Sequence, residues 1–404
     1  MDLKKLIEKA YFRGTEWYHY LHINPELSEQ ETNTADFICS VLDDLKIDYR
    51  RDIAGHGVLA IIRGQMSPDA LGKTGRDVPC VAIRADIDAL PVEEHSGLPF
   101  CSKNPGVMHA CGHDLHTAIL LGAAMVLQQI REQFCGNVKL IFQPAEEGIG
   151  GAERMLKEGI FENPKVTSVI GLHMDPTCET GILSLREGPM NAAVDDLSIT
   201  VIGKQCHGAH PEQGIDPIVI AADIVMALQT IVSRSTAPTT PAVVTIGQIQ
   251  GGTSSNTIPE KVLLNGTLRS LSKEGLVELK NRASKMAQLT AAKYGGSVEI
   301  SGMDTPFPPL CNNAEVCAVL EQSARDCENI HGIYHMPEPS MGADDFAFFS
   351  EEAKGAYFNL GCTKKGETGY PLHSDRFAAD ESVILSGIEL EVKATLALLE
   401  NDLK

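Results

Sequence analysis

The chain has 404 residues, 43% of them hydrophobic, and a formal charge of −20 from 34 basic and 54 acidic side chains. That length accommodates two domains, since a single core of this size would be unusually large. The acidic balance argues against nucleic acid or an anionic membrane as the main partner.

The N-terminus, Met1-Asp-Leu-Lys-Lys-Leu-Ile-Glu-Lys-Ala10, starts an amphipathic helix and lacks the apolar centre of a signal peptide. No run is read as reaching the roughly 18 apolar residues of a membrane span. The 11 cysteines are odd in number and follow no framework spacing. They read as reduced thiols, so a cytoplasmic location is expected.

The first third alternates strand and helix. Val78–Arg84 is a short apolar run, and residues 117–130 carry a helical stripe of Ile119, Leu120, Ala123, Leu127 and Ile130. Val138–Phe142 reads as a buried strand, Gly151–Gly159 as a short helix, and Val166–Leu172 as a strand ending at His173. This alternation predicts a helix-flanked, mostly parallel sheet.

In the middle, Leu197, Ile199 and Val201 alternate with Ser198 and Thr200, the pattern of a half-exposed strand. A helix over Ile218–Val232, strands at Val243–Ile249 and Val262–Leu268, a helix over Ser272–Tyr294 and a strand at Ser297–Ile300 follow. The order β-α-β-β-α-β is that of a ferredoxin-like α+β layer. Helix and strand then resume at Ala314–Cys327, Ala356–Leu360 and Ser382–Leu399. The expected architecture is α/β, with a discontinuous catalytic domain at 1–191 and 304–404 and an α+β module inserted at 192–303.

Five side chains are candidate metal ligands, each expected at or just past the end of a strand, on the edge where open α/β sheets place their sites. Cys111 and His113 lie in Met108-His-Ala-Cys-Gly-His-Asp-Leu-His116, Glu147 in Gln143-Pro-Ala-Glu-Glu-Gly148, His173 in Gly171-Leu-His-Met-Asp175, and His373 in Pro371-Leu-His-Ser-Asp375. Taken singly, each has an ordinary explanation: a small buried Cys, a surface His, acids at a helix start. Core packing, however, does not call for His109, Cys111, His113, Asp114 and His116 so close together. Glu146 and Glu147 are adjacent carboxylates, one suited to bind metal and the other to accept a proton from water.

His207, Asn256 and Arg269 are anion-binding candidates, from a loop after a strand, a Gly/Ser/Asn loop and a strand end. Asp86 and Asp88 are placed to orient a ligand from behind. Asp344 and Asp345 read as helix caps.

At these residues the chain resembles the dinuclear metallohydrolases that include aminoacylases and carboxypeptidase-G-type enzymes. The branch it resembles is that of hippurate and indole-3-acetyl–amino acid hydrolases. The resemblance rests on His22-Ile-Asn-Pro-Glu-Leu-Ser28, Arg84-Ala-Asp-Ile-Asp-Ala-Leu-Pro91, Met108 to Ala118, Phe142 to Gly148, Gly171-Leu-His173, His207 to Pro217, Gly251 to Pro259, Gly266-Thr-Leu-Arg269, Gly342 to Phe346 and His373. It implies two divalent metal ions (Zn, Mn, Co or Ni) held by Cys111, His113, Glu147, His173 and His373. It further implies Glu146 as general base and acid, Asp86 in a supporting catalytic role, His207 reaching the partner subunit's active site to steady the oxyanion there, and Asn256 and Arg269 holding a substrate carboxylate. The inserted module would be a lid and dimerisation domain, and the protein a homodimer. The expected activity is hydrolysis of N-acyl amino acids. A dipeptidase or an N-acyl-diaminopimelate deacylase would use the same centre, and a non-catalytic metal- or peptide-binding protein is the reading from another class.

Overall fold

The computed structural model describes residues 2–67, 78–148 and 150–402. The chain divides into two compact units, Met1–Gly188 with Cys311–Glu338 and Phe348–Lys404, and Pro189–Leu310 with Pro339–Ala347.

The first unit is built on an eight-stranded sheet. Its order is Asp48–Ile53, Gly57–Arg63, Asn137–Gln143, Cys80–Asp86, Ser168–Glu179, Lys354–Thr363, Ile182–Leu185, Gly332–His335. The four central strands are parallel, in registers such as Ile83↔Leu140, Ile83↔Ile170 and Phe358↔Leu172. Every residue of Cys80–Asp86 is buried, as strands covered on both faces require. The flanks are antiparallel: Gly57–Arg63 against Asn137–Gln143, and Lys354–Thr363 against Ile182–Leu185. The sheet is therefore mostly parallel at its centre and mixed at its edges.

Three helices, Leu3–Ile23, His113–Gln129 and Val383–Asp402, pack on one another. Their approach needs a residue without a side chain. A Cβ on Gly122 would collide with Ile388 Cδ1. The expected strand at Val166–Leu172 is in fact Ser168–Glu179, because pairing with Lys354–Thr363 continues to Thr363↔Glu179. His173 therefore lies within a strand and not at its end.

The second unit carries a four-stranded antiparallel sheet, ordered Ala242–Gly251, Lys261–Ser270, Ala193–Ile202, Ser297–Ser301. Helices Pro217–Thr230 and Lys273–Lys293 pack on each other and on this sheet. Leu197, Ile199 and Val201 are buried beneath them, while Ser198 and Thr200 are half-buried. One segment, which contains the expected Ile218–Val232 helix, corrects the expectation that no run is apolar enough for a membrane span. Pro217–Ser235 is long and apolar enough, by length and composition, to cross a membrane. Here it contributes Ile220, Ile224, Leu228 and Ile231 to the unit's core and leaves Ile218, Val219 and Met226 exposed.

Candidate metal centre

The C-terminal ends of the central strands carry the chain into the loops that bear the candidate ligands. Gly112 begins the His113–Gln129 helix with φ +83°, a left-handed conformation that suits glycine. A Cβ there would also come 2.9 Å from Met174 Cγ. This turn sets Cys111 and His113 on either side of one tight corner. Ala145, at φ +55°, turns the chain after Asn137–Gln143 so that Glu146 and Glu147 follow. His373, at φ +64°, donates its main-chain N–H to Ala110 O at 2.8 Å. Non-glycine residues in this region are strained and gather at functional sites. Cys111 and His373 sit in turns well removed from strand ends, unlike the expectation; tertiary bonds of this kind bring them in.

The five candidate ligands come together. Cys111 Sγ lies 3.4 Å from His173 Nε2, Glu147 Oε1 lies 3.2 Å from His373 Nε2, and His113 Nε2 lies 4.0 Å from Glu147 Oε1. Donor atoms of Cys111, His113 and His173 lie within 4.8 Å of one another, as do those of Cys111, Glu147 and His373. Cys111 is common to both groups. His113, Glu146 and Glu147 form a further such group.

Among the described residues, His113 Nε2 and Glu147 Oε1 are buried without a hydrogen-bond partner, which is costly unless another ligand is bound. The opposite ring nitrogens are engaged. His113 Nδ1 is 3.0 Å from Asp88 O and 3.3 Å from Asp88 Oδ1, and His173 Nδ1 is 2.9 Å from Met174 O. Each Nδ1 donates, so each Nε2 keeps its lone pair for a metal. One thiolate, three imidazoles and a carboxylate suit divalent transition metals.

The field of the protein is arranged for positive charge. Burial opposes protonation of His113, but Asp86 and Asp88 outweigh it and carry its pKa up to about 10. Burial also works against charge on Glu147, yet His373 and His113 hold its carboxyl below the usual range. Burial and the neighbouring Glu147 and Glu146 push the Cys111 thiol well up. A coordinated divalent ion would deprotonate that thiol.

Asp86 is engaged on both oxygens. Oδ2 accepts from Arg84 at 2.6 Å and Oδ1 from His116 Nδ1 at 2.6 Å. Its Oδ2 is also 3.5 Å from His113 Nε2. Burial raises its pKa, but Arg84, His113 and His116 together hold it well below the carboxylate range. His116 Nε2 accepts from Met174 N at 3.1 Å, and burial pushes its pKa down to about 4, so it is neutral. The sequence reading gave His116 no role. Its signal was the fifth polar position of the His109–His116 run.

His207, Asn256 and Arg269 belong to the second unit. Cys206–His207 pairs with Thr257–Ile258, which sets His207 beside the Asn256 loop, and Gly208 N donates to Asn256 O at 2.7 Å. His207 Nδ1 accepts from Ala209 N at 3.0 Å, so Nε2–H is available as a donor. Both His207 and Asn256 are exposed, whereas Arg269 is half-buried and donates to Met341 O at 3.0 Å. Asp344 accepts from Phe346 N at 2.8 Å, as a helix cap does.

A model of the peptidase family M20/M25/M40 matches residues 82–397. The chain is 40% identical over 390 residues to a probable hydrolase of a Synechocystis species, with 96% of each chain covered. It is 36% identical over 383 residues to the N-acetyl-L-cysteine deacetylase of Bacillus subtilis, covering 95% of this chain and 87% of that one. A solved Bacillus subtilis structure, YXEP, described as a dinuclear metal binding peptidase from the M20 family, superposes with a TM-score of 0.80 at 32% identity over 97% of this chain and 99% of its own.

Proposed function

This chain belongs to the peptidase family M20/M25/M40, and on that premise we propose that it hydrolyses the amide bond of N-acyl amino acids, releasing a carboxylic acid and a free amino acid. The deacetylase relative supports this class of substrate. The observation that carries the reading is the overlapping groups of Cys111, His113, Glu147, His173 and His373, in which His113 Nε2 and Glu147 Oε1 are buried without a hydrogen-bond partner, with Glu146 adjacent in sequence to Glu147.

Two divalent ions bound by these five side chains would supply Lewis acidity toward the carbonyl and lower the pKa of water. Glu146 accepts the proton of the attacking water and returns it to the leaving amine. Asp88 fixes the His113 tautomer, and Asp86 fixes that of His116, which burial keeps neutral behind the centre. In a homodimer His207 would offer its Nε2–H to the oxyanion in the partner subunit's site, and Asn256 and Arg269 would take a substrate carboxylate. The exposed Ile218, Val219 and Met226, with the open edge strand Ala242–Gly251, support a homodimer formed through the second unit. We place the protein in the cytoplasm on the reading of its 11 free cysteines.

The test is amino acid release from N-benzoylglycine, N-acetyl amino acids, indole-3-acetyl conjugates and plain dipeptides, each with and without chelator. Chelator-sensitive release from N-acyl substrates is expected. Release from dipeptides alone would replace this reading with a dipeptidase. No release from metal-loaded, folded protein would sink both.

A further inference from the structure

We propose that the N-terminal turn at residues 28–31 positions the Glu146–Glu147 pair, with Glu31 as the positioning residue acting through Ala145. This rests on the reading of Glu146 and Glu147 given above. Glu31 is fully buried. It stands at the start of the Thr32–Leu45 helix, where an acidic side chain ordinarily caps its own helix, but it makes no such bond. Glu26 does that work, accepting from Thr34 N at 2.8 Å and Asn33 N at 3.2 Å. Glu31 reaches across instead, and its Oε1 accepts the N–H of Ala145 at 2.8 Å.

Ala145 is the left-handed residue on which the chain turns into Glu146 and Glu147. The next-but-one N–H of this turn is held in the same manner. Glu147 N donates to Asp88 Oδ2 at 3.0 Å, and that oxygen also accepts from Ser28 Oγ at 2.7 Å. Two carboxylates, both tied to the 28–31 segment, thus grip the N–H groups on either side of Glu146. The segment is seated closely, since a Cβ on Gly148 would come 3.0 Å from Ser28 Cβ. It is also bridged to the sheet through Leu27↔Ala89. A buried carboxylate is expensive to keep. Burial and the nearby Asp88 raise the Glu31 pKa to about 7, so an apolar residue would serve better if filling space were its only task.

The test uses full-length protein loaded with Co(II), comparing Glu31→Ala and Glu31→Gln with the parent. For Glu31→Ala, kcat should fall about 10- to 100-fold with KM within about twofold, the range for groups that orient a metal site. Bound cobalt should stay stoichiometric while the visible absorption of the Co(II) centre shifts. Glu31→Gln keeps an oxygen for the Ala145 N–H and should restore both turnover and spectrum. A Glu31→Ala protein with parental kcat and parental spectrum would overturn the proposal. So would equal losses in the two variants, which would assign the effect to charge. If Glu31→Ala does not fold, Ser28→Ala replaces it, with the same shift expected and an unchanged spectrum counting against. Should the parent hydrolyse nothing in the substrate panel, the functional reading fails by itself, and the cobalt spectra still decide this one.

Discussion

In the first unit, Asp86, His113 and His116 are wholly buried, and each is held by a second group: Arg84 for Asp86, Asp88 for His113, Met174 N for His116. In the second unit, His207 and Asn256 stand exposed on loops and are steadied by local bonds to Ala209 and Ser254. The difference separates two kinds of cost. Polar groups buried in the first unit are stable only as a connected network, so removing one should disturb binding and stability together. Exposed loop residues in the second unit contribute little to the fold, so their removal should be felt in rate alone.

The largest effect should come from Glu146, in the turn after Asn137–Gln143. Glu146→Ala is expected to lower kcat about 10²- to 10⁴-fold, the usual worth of a general base, with metal content unchanged. Turnover on the best substrate, measured beside metal analysis, checks this; near-parental turnover removes Glu146 from the chemistry. His207→Ala should lower kcat about 10²-fold, as loss of one oxyanion donor does, with metal content and melting temperature unchanged. A large fall in melting temperature there would erase the contrast between the units. Asp88→Ala should weaken metal binding about 10- to 100-fold through the loosened His113 ring and should also lower the melting temperature. Chelator competition and thermal unfolding on one preparation separate it from His207→Ala.

The same contrast explains what the sequence disclosed. Apolar runs such as Val138–Phe142 and the alternation at Leu197, Ile199 and Val201 are local signals, and the strands formed there. The hairpin Asp48–Ile53 and Gly57–Arg63 went unread, because Asp48-Tyr-Arg-Arg-Asp52 on an exposed sheet edge has no apolar period. The extension of Ser168–Glu179 beyond Leu172 depends on pairing with a strand about 190 residues later, which no local window contains. The five candidate ligands were legible because metal-binding side chains are rare in such density. Of the groups behind them, Asp86 and Asp88 follow an apolar strand and could be read as supports, whereas His116 and Glu31 could not. Glu31 grips Ala145 across 114 positions, a bond that no local pattern announces.

The smallest effect extends the comparison to pH. His22, buried in the first unit, bonds through Nδ1 to Asp114 Oδ2 at 2.6 Å and through Nε2 to Glu94 Oε1 at 3.1 Å. Burial disfavours its charge, but the bonds to Asp114 and Glu94 prevail and raise its pKa from 6.5 to about 10. A folded-state pKa above the unfolded one means the imidazolium contributes its full stability below pH 6.5 and loses it as pH rises toward about 10. The second unit's two histidines, His207 and His210, are exposed, and His210 meets Glu212 only at the surface, across 3.7 Å. The stability gap between the parent and His22→Gln should therefore be widest near pH 6 and should close by about pH 10, read from denaturant midpoints across that range. Groups common to both proteins, such as the buried thiols, titrate equally and cancel in the difference. A gap that stays constant with pH would mean that His22 is held for its shape and not for its charge. The buried network of the first unit would then owe less to electrostatics than its geometry implies.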